Sequence, residues 1–192
     1  MNLIQRTQDI LLRPNSTWPQ IEQESGEPAS IYKDYLIYLA AIPALASFVG
    51  LSLIGVGLFG FGMRVPIVSG FVHMVVGYVL SLVMVYLIAL IVNALAGSFG
   101  ARADMPSALK LVAYGSTAGF IGGIFSLIPA LSPLGLLASL YSIYLIYAGL
   151  PVLMKCPPGK AAAYTAVVTV CGIVAGAALG LVTGGGMAAG FR

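Results

Sequence analysis

Between Asp34 and Arg64 the chain runs 29 residues without a charged side chain, between Arg64 and Arg102 it runs 37, and between Lys110 and Lys155 it runs 44. A fourth apolar stretch follows Lys160. Soluble domains carry about 25% Asp, Glu, Lys and Arg, because their surface has to face water. Here the share is 8%, with 59% apolar residues and a mean hydropathy of +1.00. The chain is read as an integral membrane protein. Backbone N–H and C=O groups in hydrocarbon must be satisfied internally, and long continuous apolar runs do so as helices.

About 20 apolar residues take a helix across the hydrocarbon core. The first interval holds one span, near residues 35–58. The second also holds one, near 71–95, because its middle has no Pro, Asn or Gly cluster on which a hairpin turns. The third is interrupted by Ile-Pro-Ala-Leu-Ser-Pro-Leu-Gly at 128–135 and holds two spans joined by an uncharged turn. A fifth span covers residues 163–183. The expected fold is an all-α polytopic membrane bundle of five transmembrane helices over residues 35–192, behind a tail of residues 1–34. Ala44-Leu45-Ala46 resembles a signal-peptidase site, but it follows a long acidic segment and lies inside an apolar run, so the span is expected to stay uncleaved. With the tail in the cytosol, the inner segments carry Arg6, Arg13, Lys33, Arg102, Lys110, Lys155 and Lys160, and the outer ones only Arg64 and Arg192. That asymmetry satisfies the positive-inside tendency and puts the C-terminus outside.

Five of the six acidic residues, Asp9, Glu22, Glu24, Glu27 and Asp34, precede the first apolar run, and only Asp104 lies beyond it. In the tail, Leu3, Ile4, Thr7, Ile10 and Leu11 fall at helical spacing and predict a short amphipathic helix. Arg-Pro-Asn-Ser-Thr-Trp-Pro-Gln then predicts a turn. Thr17 with Gln20 matches a capping pair opening a second short helix that Gly26 closes. The tail has two places to go: the cytosolic membrane surface, with Trp18 at the interface, or the protein's own loops.

Residues able to carry chemistry are few. Around Met-Lys-Cys-Pro-Pro-Gly-Lys at 154–160, Pro157 and Pro158 are expected to end the fourth helix and Gly159 to reverse the chain. A phosphate loop is excluded, because Met154 stands where its first glycine belongs and Ala161 replaces the hydroxyl. Arg102, Lys110, Lys155 and Lys160 are expected to form a basic cytosolic rim for lipid headgroups or a cytosolic protein partner. Cys156 and Cys171 imply neither a disulfide framework nor a metal site, and a lone juxtamembrane Cys156 is slight ground for acylation. His73 and Asn93 are polar residues within the second span, but twenty positions separate them, roughly 30 Å of helix. They are read as hydrogen bonds between helices. Gly115, Gly119 and Gly123 in the third span, and Gly172, Gly176, Gly180 and Gly184 in the fifth, repeat every four residues. Such faces admit a neighbouring backbone, here read as packing within the bundle, although they also serve homo-oligomers. No paired acid and base, cofactor motif or metal-ligand set is present, so no catalytic, cofactor or metal residue is assigned. The net charge of +3 is spread through loops, which argues against nucleic acid.

Several ordered segments resemble the bacterial branch of the Yip (Ypt-interacting protein) family: Ala-Leu-Lys-Leu-Val-Ala-Tyr-Gly-Ser-Thr from Ala108, Ile-Phe-Ser-Leu-Ile-Pro-Ala-Leu from Ile124, and Leu-Tyr-Ser-Ile-Tyr-Leu-Ile-Tyr-Ala-Gly-Leu-Pro-Val-Leu-Met-Lys-Cys-Pro from Leu140. Lys-Ala-Ala-Ala-Tyr-Thr from Lys160 and the tail segment from Arg13 to Glu24 extend the likeness over most of the chain. The resemblance implies a five-span bundle with a cytosolic N-terminus in the bacterial inner membrane. Eukaryotic relatives are associated with Rab-type GTPases, but their Asp-Leu-Tyr-Gly-Pro-like motif is absent here. Ala118 and Phe120 stand where the family's Pro and Trp are expected, which argues against GTPase binding. The functional expectation is a non-enzymatic membrane scaffold or adaptor engaging a cytosolic partner or lipid headgroups. The alternative is a small passive channel or transporter whose pathway passes His73, Asn93, Tyr78 and Tyr86.

Overall fold

A computed structural model describes residues 2–24, 27–55 and 64–190, with backbone alone for residues 129, 179 and 181–190. Two short helices come first. Helix α1 (Leu3–Leu12) is capped by Asn2, whose Oδ1 accepts from the Ile4 amide at 3.1 Å. Helix α2 (Pro14–Gln23) opens on Pro14, where a missing N–H costs nothing. Thr17 therefore lies inside α2 instead of capping it. Its hydroxyl donates back to the carbonyls of Arg13 at 2.8 Å and Asp9 at 3.0 Å, bracing the corner between the two helices. The expected stop at Gly26 lies outside the described residues.

Five further helices are long and apolar enough to cross a bilayer: α3 (Pro28–Ile54), α4 (Ile67–Phe99), α5 (Met105–Leu127), α6 (Pro133–Leu153) and α7 (Pro158–Gly190). Helix α3 starts at Pro28, earlier than the charge pattern suggested, because proline presets the first turn. Lys33 and Asp34 stay exposed on its first turns. Two segments of α3, Tyr32–Leu36 and Val49–Ile54, are wound as wider π turns. Helix α4 is one continuous span, as expected from the absence of turn residues in its middle.

The centre of the bundle is α5: 61% of its apolar window is buried, against 17–28% for the other four spans. Glycine explains how neighbours approach it. A Cβ on Gly115 would lie 2.6 Å from Ile146 Cγ1, and one on Gly122 or Gly123 would collide with Ala138 of α6 or Pro43 of α3. The Gly119 amide donates to Ser142 Oγ at 2.8 Å. Between the tight approaches, Tyr35 of α3 shares a 2.7 Å hydrogen bond with Thr117 and packs its ring 4.6 Å from that of Tyr114. Helix α7 is fastened to α4 by the Tyr164 hydroxyl, which donates to the Val92 carbonyl, and by Phe99 stacked on the Tyr164 ring at 4.6 Å.

The α6–α7 turn reverses differently from the sequence reading. Gly159 is already inside α7, and the reversal occurs at Lys155, the one non-glycine among the described residues with positive φ, at 51°. Pro158 opens α7, so the two prolines leave Lys155 to take the left-handed conformation.

Candidate functional site

One end of the bundle carries the tail, and most of the sequence-nominated cations gather there. Trp18 is completely buried, as are Ile10 and Ile21. The indole fits because α6 offers Gly149. A Cβ there would stand 2.8 and 2.9 Å from Trp18 Cε2 and Cζ2, and 2.6 Å from Leu111 Cδ1. The Tyr141 hydroxyl adds a 2.7 Å hydrogen bond to the Leu11 carbonyl. Of the two placements considered for the tail, this is packing on the protein itself. Trp18 is in the protein interior, while Ile4 and Leu12, 68% and 77% exposed, form the outer face of α1.

Lys110 is taken out of the expected rim. It lies within α5, is only 7% exposed, and donates from Nζ to the carbonyls of Ile21, at 3.0 Å, and Glu24. Ile21 is in the last turn of α2 and Glu24 is its C-cap, where no intrahelical N–H reaches the carbonyls and the backbone dipoles present negative charge. The ammonium thus caps the tail helix and ties it to the central span. Side chains continue the clasp: Arg6 pairs with Glu24, and Lys155 with Glu22. The tail's acidic residues thus serve as partners for cations on the bundle as well as on the tail itself.

The loops that carry Arg102, Lys155 and Lys160 adjoin one another. The Arg102 amide donates to the Met154 carbonyl at 2.7 Å, binding the α4–α5 loop to the α6–α7 turn. Lys160 Nζ sits 3.8 Å from where a Cβ on Gly100 would stand. Arg102, Lys155 and Lys160 are exposed on this one face. Among the described residues neither Arg102 nor Lys160 is in an ion pair. Asp104 caps α5 by accepting from the Ser107 amide at 3.1 Å, and the Ser107 hydrogen bonding holds its carboxyl below the usual carboxylate range, helped by Arg102 and Lys110. Cys156 is buried beneath the turn, its Sγ 3.6 Å from the Pro157 carbonyl, and burial pushes the thiol up. It is a packed thiol, unsuited to acylation in this conformation.

The structure separates the remaining candidates. His73 lines a cleft between α3 and α4 at the end of the bundle opposite the tail. Asn93 lies at the other end of α4, and its buried Oδ1 has no hydrogen-bond partner among the described residues. The cleft holding His73 does not include Asn93. Among the described residues, no other helix fills the space beside Gly172, Gly176 and Gly180 of α7. Gly172 meets Ile88 Cδ1 only at 4.0 Å, nothing lies within 4 Å of a Cβ at Gly176 or Gly180, and the surroundings of Gly184 lie outside the described residues. Close approach of a neighbour is thus seen at Gly115 and Gly123 of α5 and, among the described residues, not at Gly176 and Gly180 of α7. Among the described residues no three His, Cys, Asp or Glu side chains gather to hold a metal.

Sequence reasoning missed the Trp18 slot and the role of Lys110. The second had a signal: Asp104 followed by Met-Pro and Ser107 is a helix start, which places Lys110 well inside a helix instead of in a loop. The slot had none, since nothing along the chain links Trp18 to Gly149. The family model for the Yip1 domain matches residues 9–179, which includes most of the docked tail and all the described residues discussed here from α2 to Ala178. No curated protein and no solved structure gives a significant match.

Proposed function

We propose that this chain, which belongs to the Yip1 domain family, acts as a non-enzymatic scaffold whose tail-bearing face captures an acidic surface of a cytosolic protein. That it is a multi-pass membrane protein follows from the five apolar helices. The observation that carries the scaffold reading is the clasped tail. Trp18, Lys110 and the two ion pairs fix α1 and α2 as a rigid platform, and the joined loops set Arg102 and Lys160 beside it. A fixed platform lowers the ordering cost of binding, and exposed cations steer an anionic partner. The positive-inside asymmetry supports placing this face in the cytosol of a bacterial inner membrane, with the C-terminus outside. Anionic headgroups compete for the same cations.

The test is photo-cross-linking in native membranes from a probe at Leu12, comparing the natural chain with Arg102→Gln/Lys160→Gln. Lys110 and Lys155 stay, so the clasp is kept. The expected result is one dominant protein adduct that falls several-fold in the double variant and at high salt, while reconstituted vesicles show no solute flux above protein-free controls. Adducts indifferent to both cations, or a specific flux abolished by His73→Ala, would transfer the reading to a channel.

A further inference from the structure

Midway along the bundle a cavity of about 380 Å³ opens to the side, walled by residues of all five spans. No charged residue lines it. Ser81 of α4 lies on its wall, roughly 21 Å from the first residue of α4 and roughly 27 Å from the last. A hydrocarbon core about 30 Å thick includes Ser81 wherever it is placed along a helix of roughly 50 Å. The cavity is therefore at a depth that headgroups do not reach.

Ser81, Ser116, Ser139 and Ser142 stand on the wall, but most of their polarity is spent elsewhere. The Ser81 hydroxyl donates to the Tyr78 carbonyl at 2.7 Å, and that of Ser139 to the Gly135 carbonyl at 3.0 Å. Ser142 Oγ accepts from the Gly119 amide at 2.8 Å. A buried water needs about two to four polar partners, and these three hydroxyls are already engaged with backbone. They act as small side chains that hold the space open, beside an apolar wall of Met84, Val85, Ile88 and Phe120.

The cavity tapers. Toward the tail end of the bundle, α7 is held against α4 by the Tyr164 hydroxyl on the Val92 carbonyl, and Val168 is only 2% exposed. At Gly172 a Cβ would just touch Ile88 Cδ1, at 4.0 Å, and one turn on, at Gly176, no described residue lies within 4 Å of it. A helix is about 10–12 Å across at every level, so it cannot follow a gap that closes to van der Waals contact within a turn. A methylene chain, a single carbon thick, can. The mouth also borders surface that faces lipid: Leu140, next to Ser139, is 62% exposed, and Ile173, next to Gly172, is 64% exposed.

We propose that this cavity holds one acyl chain of a membrane lipid, which enters from the Gly176 side and ends against Ile88. The chain supplies the apolar wall with contacts that no other helix provides among the described residues.

The test uses the full chain in vesicles of phosphatidylethanolamine and phosphatidylglycerol, doped with a phosphatidylglycerol that carries a diazirine near the end of one acyl chain. After illumination, mass spectrometry locates the adducts. Phe120 is partly buried on the central span, so labelling there reports a chain inside the cavity. It should fall at least fivefold in Ser139→Leu/Gly176→Leu, which fills the space, and stay unchanged in Val83→Leu, on the exposed face of α4. Labelling at Leu137, 64% exposed, should hold steady in every variant, which reports that each is inserted. An unlabelled Phe120 in the natural chain, or one labelled equally in the filled variant, would overturn the proposal. So would reaction of Ser139→Cys, at that position, with a charged water-soluble thiol reagent, which would mean a water-filled cavity. Disulfide-linked pairs of Gly176→Cys chains in place of lipid adducts would overturn it in favour of a second copy.

Discussion

Gly149→Val puts two further carbons beyond a Cβ into the slot that holds Trp18. Even the Cβ would stand 2.6 Å from Leu111 Cδ1 and 2.8–2.9 Å from two indole carbons. Carbon atoms rest about 3.5–4.0 Å apart, so the contacts must open by roughly 0.6–1.4 Å. The Leu111 methyl is the far end of a flexible side chain and can rotate. The indole is planar and completely buried, so it moves as a body or leaves. Overpacking of this kind costs about 1–3 kcal/mol, and the lost glycine returns less than about 1 kcal/mol of helix propensity. The net effect should be a partly undocked tail. The chain has one tryptophan, so its fluorescence reports this event alone. Natural protein should emit as a buried indole, poorly quenched by acrylamide and by bromine-labelled lipid chains. Gly149→Val should shift emission to the red and raise acrylamide quenching several-fold. Gly159→Ala, with nothing within 4 Å, is the control and should change neither. Unaltered emission and quenching in Gly149→Val would refute the slot, and strong quenching of the natural protein by brominated lipid would return Trp18 to the membrane interface.

Gly122→Leu should lower the folded yield in detergent far more than Gly176→Leu, because Ala138 fills the space beside Gly122 while no described residue lies within 4 Å of a Cβ at Gly176. Equal losses would mean that the α7 face is covered after all. Lys155→Gly should be neutral to slightly stabilising in thermal unfolding: a left-handed non-glycine residue costs about 1–2 kcal/mol, and the exposed pair with Glu22 is worth about 0–1 kcal/mol. A large loss would show that the ion pair dominates. Asp104→Ala should cost about 0.5–2 kcal/mol by removing the α5 cap. Because the folded carboxyl is held below its unfolded range near 3.9, that difference should be complete above about pH 4 and close as acid titrates the folded group. A gap that persists at lower pH in urea unfolding would deny the charge any part in the cap.

The number of spans and their approximate limits were legible in the order of residues alone. Membrane crossing is decided locally, by the charge and apolarity of each successive 20-residue stretch against the hydrocarbon thickness, and no neighbour is needed to evaluate it. The long uninterrupted α4 and the turn at 128–135 were read for the same reason. Which surfaces meet is not local. Gly115 and Gly176 look alike in sequence, yet one lies against Ile146 and the other, among the described residues, has nothing within 4 Å of a Cβ. Lys110 looked like a rim cation and became the cap of a helix 86 residues away, because burial and a carbonyl cluster supplied by α2 gave the ammonium better partners than water. Lys155 took the left-handed turn that Gly159 seemed made for, because Pro158 had already started the next helix. Trp18 found its place only when α5 and α6 came together around Gly149 and left an indole-sized gap, a shape that exists in the packed bundle and nowhere along the chain.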